Sequence, residues 1–111
     1  IMPTIRLHAV AKERLLAVAP ALCRDLAVAF ATEPDNVALE VVTSDFIREG
    51  RLDAEPYPMA EIIAFERGRE GEVAAARVLT EALRGAGYPY CEVYYLYPQP
   101  RSYFCDGVSC E

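Results

Sequence analysis

The order of hydrophobic patterns along the chain restricts its fold more than any other feature. A strand-like alternation of apolar and polar residues is followed by a helical spacing of apolar residues and then by another strand, and this order occurs twice. The predicted strands and helices cover, in sequence, 4–10, 12–31, 37–43, 57–65, 72–84 and 91–97. The sequence therefore predicts two consecutive β-α-β units.

Each β-α-β unit is expected to be a right-handed crossover that joins two parallel strands. Together the two units predict an α+β fold, with a four-stranded mixed sheet and two helices on one face. Pro3 begins the first strand and Pro58 begins the third, so the two halves resemble each other. A length of 111 residues fits a single domain over 1–111.

Three segments depart from this regular pattern. Pro20 lies inside the first predicted helix, where its missing backbone donor predicts a kink. The polar segment 44–56 is expected to be a long loop, with a short helical turn around Phe46 and Ile47. The tail 101–111 is predicted to form a short hairpin that turns at Asp106-Gly107.

Charged residues inside the strand patterns indicate what covers the second face of the sheet. The residues in question are Arg6, His8, Glu40, Glu61 and Glu92. Parallel strands are rarely left open to water, and hydrophobic residues make up 53% of the chain. We therefore expect another copy of the chain on this face, with Arg–Glu pairs within or across the interface. The alternative is a monomer with one hydrated sheet face.

The dipeptide Met2-Pro3 points to possible chemistry at the start of the first strand. Ile1 precedes this methionine and is expected to be foreign to the natural chain, with Met2 as the initiator. Initiator methionine is commonly removed when proline follows it. The chain would then begin with the secondary amine of Pro3, which can act as a base. The other reading of Pro3 is a residue that simply starts a strand.

Composition argues against several classes of partner. A net charge of −6 does not favour nucleic acid, whose phosphates attract clustered Lys and Arg. No apolar run approaches the ~20 residues of a membrane span. We found no secretory signal in the sequence, so a cytoplasmic protein is expected.

The four cysteines predict neither a metal centre nor a cofactor. Cys23 and Cys91 lie in a helical and a strand pattern, where they are expected to be small buried residues. Cys105 and Cys110 are close enough for a hairpin disulfide or half a metal site, but the only histidine is His8 and no C-x-x-C pair occurs. We expect no metal, no cofactor and reduced cysteines.

The Met-Pro start, the two β-α-β halves and the repeated proline resemble the tautomerase superfamily, which includes oxalocrotonate tautomerase and macrophage migration inhibitory factor. The segments 3–7, 57–65 and 101–107 are most similar to a bacterial family of unknown function assigned to that superfamily. The resemblance covers nearly the whole chain. It implies a homotrimer with sites between subunits, in which a terminal proline shuttles a proton next to the carbonyl of a small carboxylate substrate.

Some residues match the superfamily pattern and others do not. By resemblance, Pro3 corresponds to the catalytic base, Phe65 to an apolar wall residue, and Tyr94 to a tyrosine that faces the proline of a neighbouring subunit. The lysine that one branch carries after the first helix is absent, and Leu96 stands in place of its asparagine. The strand arginine of the other branch corresponds to Ala38 or Leu39.

A substitute cation is therefore needed to bind the substrate's carboxylate. Arg67 and Lys12 are the candidates, followed by Arg69 and Arg14, because they lie in or next to loops at the ends of strands. Arg67 also has a simpler interpretation as an ion-pair partner of its acidic neighbours. Tyr94 likewise has a simpler interpretation, as a residue that packs against its neighbours in the sheet.

Three hypotheses about function remain open on the sequence. The first is a trimeric keto–enol isomerase that uses Pro3 as its base. The second is a trimer of the same fold that has a structural or small-ligand-binding role and no catalysis. The third is a monomeric binding or regulatory module of the ferredoxin-like type, with antiparallel central strands and no site at the amino terminus.

Overall fold

The computed structural model describes residues 2–111, so the prediction about Ile1 lies outside the described residues. The long elements are β1 (Thr4–His8), α1 (Lys12–Ala29), β2 (Ala38–Val42), β5 (Met59–Ile63), α2 (Arg69–Gly85) and β6 (Glu92–Leu96). Four two-residue strands complete the set: β3 (Ile47–Arg48), β4 (Arg51–Leu52), β7 (Phe104–Cys105) and β8 (Val108–Ser109). Single turns of 3₁₀ helix cover Pro34–Asn36 and Pro100–Ser102.

The four long strands form one mixed sheet in the order β2-β1-β5-β6. β1 is parallel to β2 and β5 is parallel to β6, while the central strands β1 and β5 are antiparallel. Each β-α-β unit thus pairs its own two strands side by side, unlike the split β-α-β unit of the ferredoxin-like alternative. The predicted α+β fold class is confirmed.

The two prolines occupy equivalent places in the two units. The carbonyl oxygen of Pro3 accepts a hydrogen bond from the Ala38 amide at 3.1 Å, which extends the pairing of β1 with β2. In the second unit the carbonyl oxygen of Pro58 accepts one from the Glu92 amide at 3.0 Å. Both prolines are fully buried. The repeat predicted from the sequence therefore corresponds to equivalent positions in the structure.

Both helices pack on one face of the sheet and form a single hydrophobic core with it. The fully buried aliphatic side chains come from both layers: Ile5, Leu7, Leu22, Leu26, Ile62, Leu79 and Leu83. α1 continues through Pro20 as one element, as the extent of the hydrophobic pattern requires. Leu16 shares the helical spacing of the apolar residues of α1 but is 69% exposed.

The other face of the sheet carries the charged residues predicted there. Arg6 lies at its centre, and its Nε donates to Oε1 of Glu40 at 2.9 Å. Arg6 Nη1 lies 3.6 Å from Oε2 of Glu61 on the neighbouring strand. The Arg–Glu pairs expected within or across an interface are thus formed within one chain.

Segment 44–56 differs from its prediction. In place of a helical turn at Phe46 and Ile47, the strands β3 and β4 form a hairpin. Glu49 (φ 51°) and Gly50 (φ 78°) connect them with two left-handed residues, the backbone that a tight two-residue hairpin requires. Because glutamate seldom adopts this conformation, the turn gave only a weak sequence signal.

The tail forms a second hairpin, in which β7 pairs with β8 around Asp106 (φ 49°) and Gly107 (φ 82°). This is the turn expected from Asp-Gly. Neither α1, α2 nor any other helix within residues 2–111 is long and apolar enough to cross a membrane.

Candidate functional site

The candidate site lies at the end of the sheet where β1 begins. Pro3 immediately precedes β1, and Thr4 pairs with Ile63 near the end of the antiparallel strand β5. The segment after β5 therefore returns to the same end of the sheet as Pro3. The carboxyl end of α1 and the amino end of α2 also lie there, since Phe30, Phe65 and Gly71 line one small pocket.

Phe65 is the predicted wall residue at this end. It lies two residues beyond Ile63 and is half-buried. Its ring meets that of Tyr103 edge to face, with the centroids 5.7 Å apart. Phe65 and Tyr97 line a groove of about 430 Å³, together with residues 98–100. An apolar wall next to the start of β1 is thus present.

Arg67 also lies at this end, but its guanidinium is already engaged. Its Nη1 donates a hydrogen bond to the carbonyl oxygen of Phe30, at the carboxyl end of α1. A cation there is favourable, because the last carbonyl groups of a helix carry partial negative charge. Arg69 is engaged as well, with Nη1 3.4 Å from Oε1 of Glu72. A carboxylate ligand of Arg67 must therefore replace or share the bond to Phe30.

Lys12 lies at the opposite end of the sheet from Pro3. It is the first residue of α1, which follows the far end of β1 at His8. Arg14, in the first turn of the same helix, lies at that far end too. The sequence grouping of these two residues with Pro3 does not hold within one chain, because Pro3 precedes β1 whereas Lys12 and Arg14 follow it.

Tyr94 lies on the charged face of the sheet, in the middle of β6. It pairs with Glu61 on β5, and its hydroxyl donates to Oε1 of that residue at 3.4 Å. Burial raises the pKa of the Tyr94 hydroxyl, and the Glu61 carboxylate adds to the increase. Tyr94 therefore does not line the Pro3 end of its own chain.

Sequence reasoning missed a polar cluster at this end, formed by Tyr95, Tyr97 and Glu72. The Tyr95 hydroxyl donates to the backbone carbonyl of Glu72 at 2.7 Å, and the Tyr97 hydroxyl donates to its carboxylate. The two rings are stacked, with centroids 5.5 Å apart. The only sequence signal was the pair of tyrosines at alternate positions on one face of a strand.

Both hydroxyls of this cluster are donors at neutral pH. Burial raises the pKa of Tyr95 to about 12, with a further increase from the Glu72 carboxylate. Burial also raises the pKa of Tyr97, and the hydrogen bond to Glu72 adds to it. Each hydroxyl has a single proton, which is already donated to Glu72, so the cluster fixes the start of α2 and offers no free hydroxyl donor.

The residues that the structure describes contain no group of three or more His, Cys, Asp and Glu side chains arranged to hold a metal ion. At the Pro3 end the described residues supply an apolar wall, carboxylates such as Glu72, and tyrosine hydroxyls and arginines that are already bonded. The nitrogen of Pro3 would add a base with a pKa near neutrality if it were released as an amine.

A family model described as a domain of unknown function, DUF1904, matches residues 2–109. The chain belongs to the DUF1904 family. No protein of curated function matches it by sequence.

Solved structures show the fold that this DUF1904 protein shares. A DUF1904 domain from Sebaldella termitidis is 23% identical with a TM-score of 0.88, over 97% of this chain and 99% of that one. A fused 4-OT described as an asymmetric trimer is 16% identical with a TM-score of 0.83, over 97% and 96%. A macrophage migration inhibitory factor from Toxoplasma gondii is 13% identical with a TM-score of 0.75, over 96% and 99%. The DUF1904 chain therefore has the tautomerase fold.

Proposed function

We propose that this DUF1904 protein is a homotrimeric keto–enol isomerase of small keto or enol carboxylic acids, active once its chain begins at Pro3. One observation carries the proposal. Pro3 is fully buried at the start of a central strand, and Phe65 and Arg67 lie at that same end of the sheet. The shared fold with a tautomerase supports it as an analogy.

The proposed chemistry needs a neutral amine. While Met2 is attached, the nitrogen of Pro3 is a tertiary amide without basicity. After its release, a secondary amine enclosed by apolar side chains has a lowered pKa, because burial penalises the cation. Such an amine takes a proton from the carbon next to a carbonyl and returns it at oxygen or at another carbon, which interconverts keto and enol forms.

The substrate's carboxylate requires a cation, and Arg67 is the residue proposed for it. A planar guanidinium binds a carboxylate through two parallel hydrogen bonds, which are stronger than its present bond to the neutral Phe30 carbonyl. Phe65 forms the apolar wall. Tyr94 would reach the site only from a neighbouring subunit, as it does in the superfamily that the sequence resembles. Lys12, at the far end of its own chain, is proposed to contribute only across such an interface.

The proposal is tested with protein whose mass shows that it begins at Pro3. Exchange of the C3 protons of 2-oxobutanoate in D₂O is followed by proton NMR. A form that retains Met2 has an amide in place of the Pro3 amine and is expected to lower the rate about 100-fold or more, as loss of a general base does. Pro3→Ala replaces the rigid secondary amine with a primary amine and is also expected to lower the rate. Pro58→Ala is the matched control, because it removes the equivalent strand-starting proline without touching an amine.

Equal rates for the Pro3-initiated protein and the form that retains Met2 would contradict the mechanism. So would a Pro58→Ala variant that loses as much activity as Pro3→Ala while remaining folded, since the effect would then be structural.

A second candidate function is a trimeric structural or ligand-binding protein without catalysis. It is favoured by a specific observation: Arg67 and Arg69, the cations closest in sequence to Phe65, are both bonded within the chain. No exchange above the uncatalysed rate, together with a trimeric mass in solution, is the result expected of this alternative.

A further inference from the structure

The pseudo-symmetry of the fold places a second proline at the other end of the sheet. Pro58 begins β5 as Pro3 begins β1, is equally buried, and makes the equivalent hydrogen bond through its carbonyl oxygen. It follows Tyr57 inside the chain, so its nitrogen is an amide in every form of the protein. A pocket at this end can therefore bind a ligand but cannot use Pro58 as a base.

A cavity of about 540 Å³ lies next to Pro58, larger than the groove beside Phe65. Its walls include three tyrosines: Tyr57, Tyr88 and Tyr90. The rings of Tyr57 and Tyr90 meet edge to face with centroids 4.8 Å apart, and the Tyr90 hydroxyl donates to Oε2 of Glu92 at 2.7 Å. The Tyr88 hydroxyl oxygen accepts a hydrogen bond from the Ala11 amide at 2.8 Å. These contacts hold the aromatic walls in place before any ligand arrives.

Arg14 supplies positive charge to this cavity. Its guanidinium carbon lies 5.0 Å from the centroid of the Tyr88 ring. Gly87 packs against this guanidinium: a Cβ atom on residue 87 would lie 3.5 Å from Nη1 of Arg14. Within residues 2–111 Arg14 forms no ion pair, whereas Arg48, which packs on the Tyr57 ring, is paired with Asp53 at 2.7 Å. The Arg14 guanidinium is thus oriented by a ring while its hydrogen-bond donors remain available.

We propose that the cavity beside Pro58 is a second ligand site, which binds a small aromatic carboxylate. The planar carboxylate pairs with the guanidinium of Arg14, and the aromatic body lies among the three tyrosine rings. Because arginine and tyrosine side chains converge on one concave site, the ligand gains both a charged contact and apolar burial. This site does not depend on the chemistry proposed for Pro3.

Glu55 is the other charged residue that lines the cavity, and its carboxylate repels an anionic ligand. Its side chain is exposed, so water screens its repulsion of an anion without abolishing it. Removing the Glu55 charge should therefore tighten the binding of a carboxylate, while removing the Arg14 charge should weaken it. A ligand held only by apolar contacts would respond to neither change.

Benzoate is a suitable probe, with benzyl alcohol as a neutral ligand of similar shape. Both are titrated into ¹⁵N-labelled full-length protein, and the amide signals of Gly87, Tyr88 and Tyr90 report on the cavity. The Gly68 amide, at the Pro3 end, reports on the other site. We expect benzoate to shift the first three signals and benzyl alcohol to bind more weakly.

The variants make the test quantitative. Arg14→Gln is expected to raise the Kd for benzoate about 10- to 100-fold, the usual effect of losing a charge-assisted hydrogen bond. Glu55→Gln is expected to lower that Kd. Arg24→Gln is the matched control, an exposed arginine on the same helix that does not line the cavity, and should change nothing.

Two results would overturn the proposal. One is the absence of saturable shifts at Gly87 and Tyr88, including the case in which a neighbouring subunit covers the cavity. The other is an unchanged Kd in Arg14→Gln. Shifts confined to Gly68 would assign benzoate to the Pro3 end and also refute the second site.

Discussion

Tyr95 illustrates how one hydroxyl joins the two layers of the fold. The residue lies on the helix-facing side of β6, packs against the hydrophobic core, and donates its hydroxyl to the Glu72 carbonyl in the first turn of α2. That carbonyl is part of the segment that brings Arg67 and Gly68 to the candidate site. This hydrogen bond, together with the one from Tyr97 to the Glu72 carboxylate, fixes the amino end of α2 against the sheet.

Tyr95→Phe is expected to lower the free energy of unfolding by about 1 kcal/mol, the usual net value of one hydrogen bond. Urea denaturation followed by circular dichroism measures the loss. Tyr94→Phe is the matched control on the same strand, because the Tyr94 hydroxyl makes only a 3.4 Å contact on the exposed face. A larger loss in Tyr94→Phe than in Tyr95→Phe would contradict this assignment.

The raised pKa of Tyr95 also predicts how this contribution changes with pH. The pKa is about 12 in the folded protein, against an ordinary tyrosine value of 10.0, so the folded state holds the proton more tightly than the unfolded chain does. The stabilisation is therefore complete below the unfolded pKa and is lost as pH rises through the folded pKa. The difference in midpoint between the wild type and Tyr95→Phe should shrink as pH rises through this alkaline range.

At the scale of single elements, the two short hairpins depend on left-handed turn residues. The β3–β4 hairpin turns at Glu49 and Gly50, and the β7–β8 hairpin turns at Asp106 and Gly107. In the second hairpin the backbone brings Cys105 and Cys110 together, with their sulfur atoms 3.7 Å apart and both side chains exposed. Their thiols are free, and the hydrogen bond between the two thiols raises the pKa of Cys110.

We expect the tail to form an intramolecular disulfide when the protein is treated with diamide, because the two thiols are already adjacent. Intact-mass analysis should show a loss of two hydrogen atoms. Peptide mapping should place the bond between Cys105 and Cys110.

Cys105→Ser should abolish this change and leave Cys110 open to alkylation. Cys91→Ser is the control, since Cys91 is half-buried in the domain, away from the tail hairpin. Formation of covalent dimers in place of the intramolecular bond would contradict the prediction.

At the scale of the whole molecule, the sheet face that no helix covers is the surface on which we expect another copy of the chain to pack. A polar row crosses all four strands, from Glu40 through Arg6 and Glu61 to Tyr94. Apolar residues such as Ile63 and Leu96 flank it, and Leu96 is 47% exposed. Because Arg6 contacts both Glu40 and Glu61 within the chain, each carboxylate on this row has a cationic partner, which lowers the cost of burying the face.

We expect the wild-type protein to have three times the monomer mass in light scattering after size exclusion. Arg6→Glu should dissociate the trimer, because it places three carboxylates together in the middle of the proposed interface. Arg24→Glu, an exposed charge reversal on a helix, should leave the mass unchanged. A monomeric wild type, or a trimer unaffected by Arg6→Glu, would refute this interface.

Local patterns predicted most of the fold. The periods of 2 and 3.6 residues predicted all six long elements, because they reflect which side of a strand or helix is buried. The charged residues inside the strand patterns predicted the sheet face that no helix covers. The β3–β4 hairpin was missed, because its turn depends on a strained glutamate conformation.

The candidate site was less predictable, because it is assembled from distant segments. Pro3 and Phe65 were placed at one end of the sheet by resemblance, and the antiparallel pairing of β1 with β5 accounts for it. The grouping of Lys12 and Arg14 with them does not hold within one chain, because these two residues follow β1 whereas Pro3 precedes it. The engagement of Arg67 with Phe30 and of Tyr97 with Glu72 had no local signal at all.

By itself, then, the amino-acid sequence determined the six long elements, the inner face of each, the repeated proline and the membership of a fold family. The tertiary structure alone decided which distant residues meet: it bonded Arg67 to Phe30 and formed the cavity beside Pro58. The physical reason is the range of the interactions involved. Hydrophobic periodicity acts between near neighbours in the chain, whereas a site is defined by contacts whose partners are fixed only when both β-α-β units have packed.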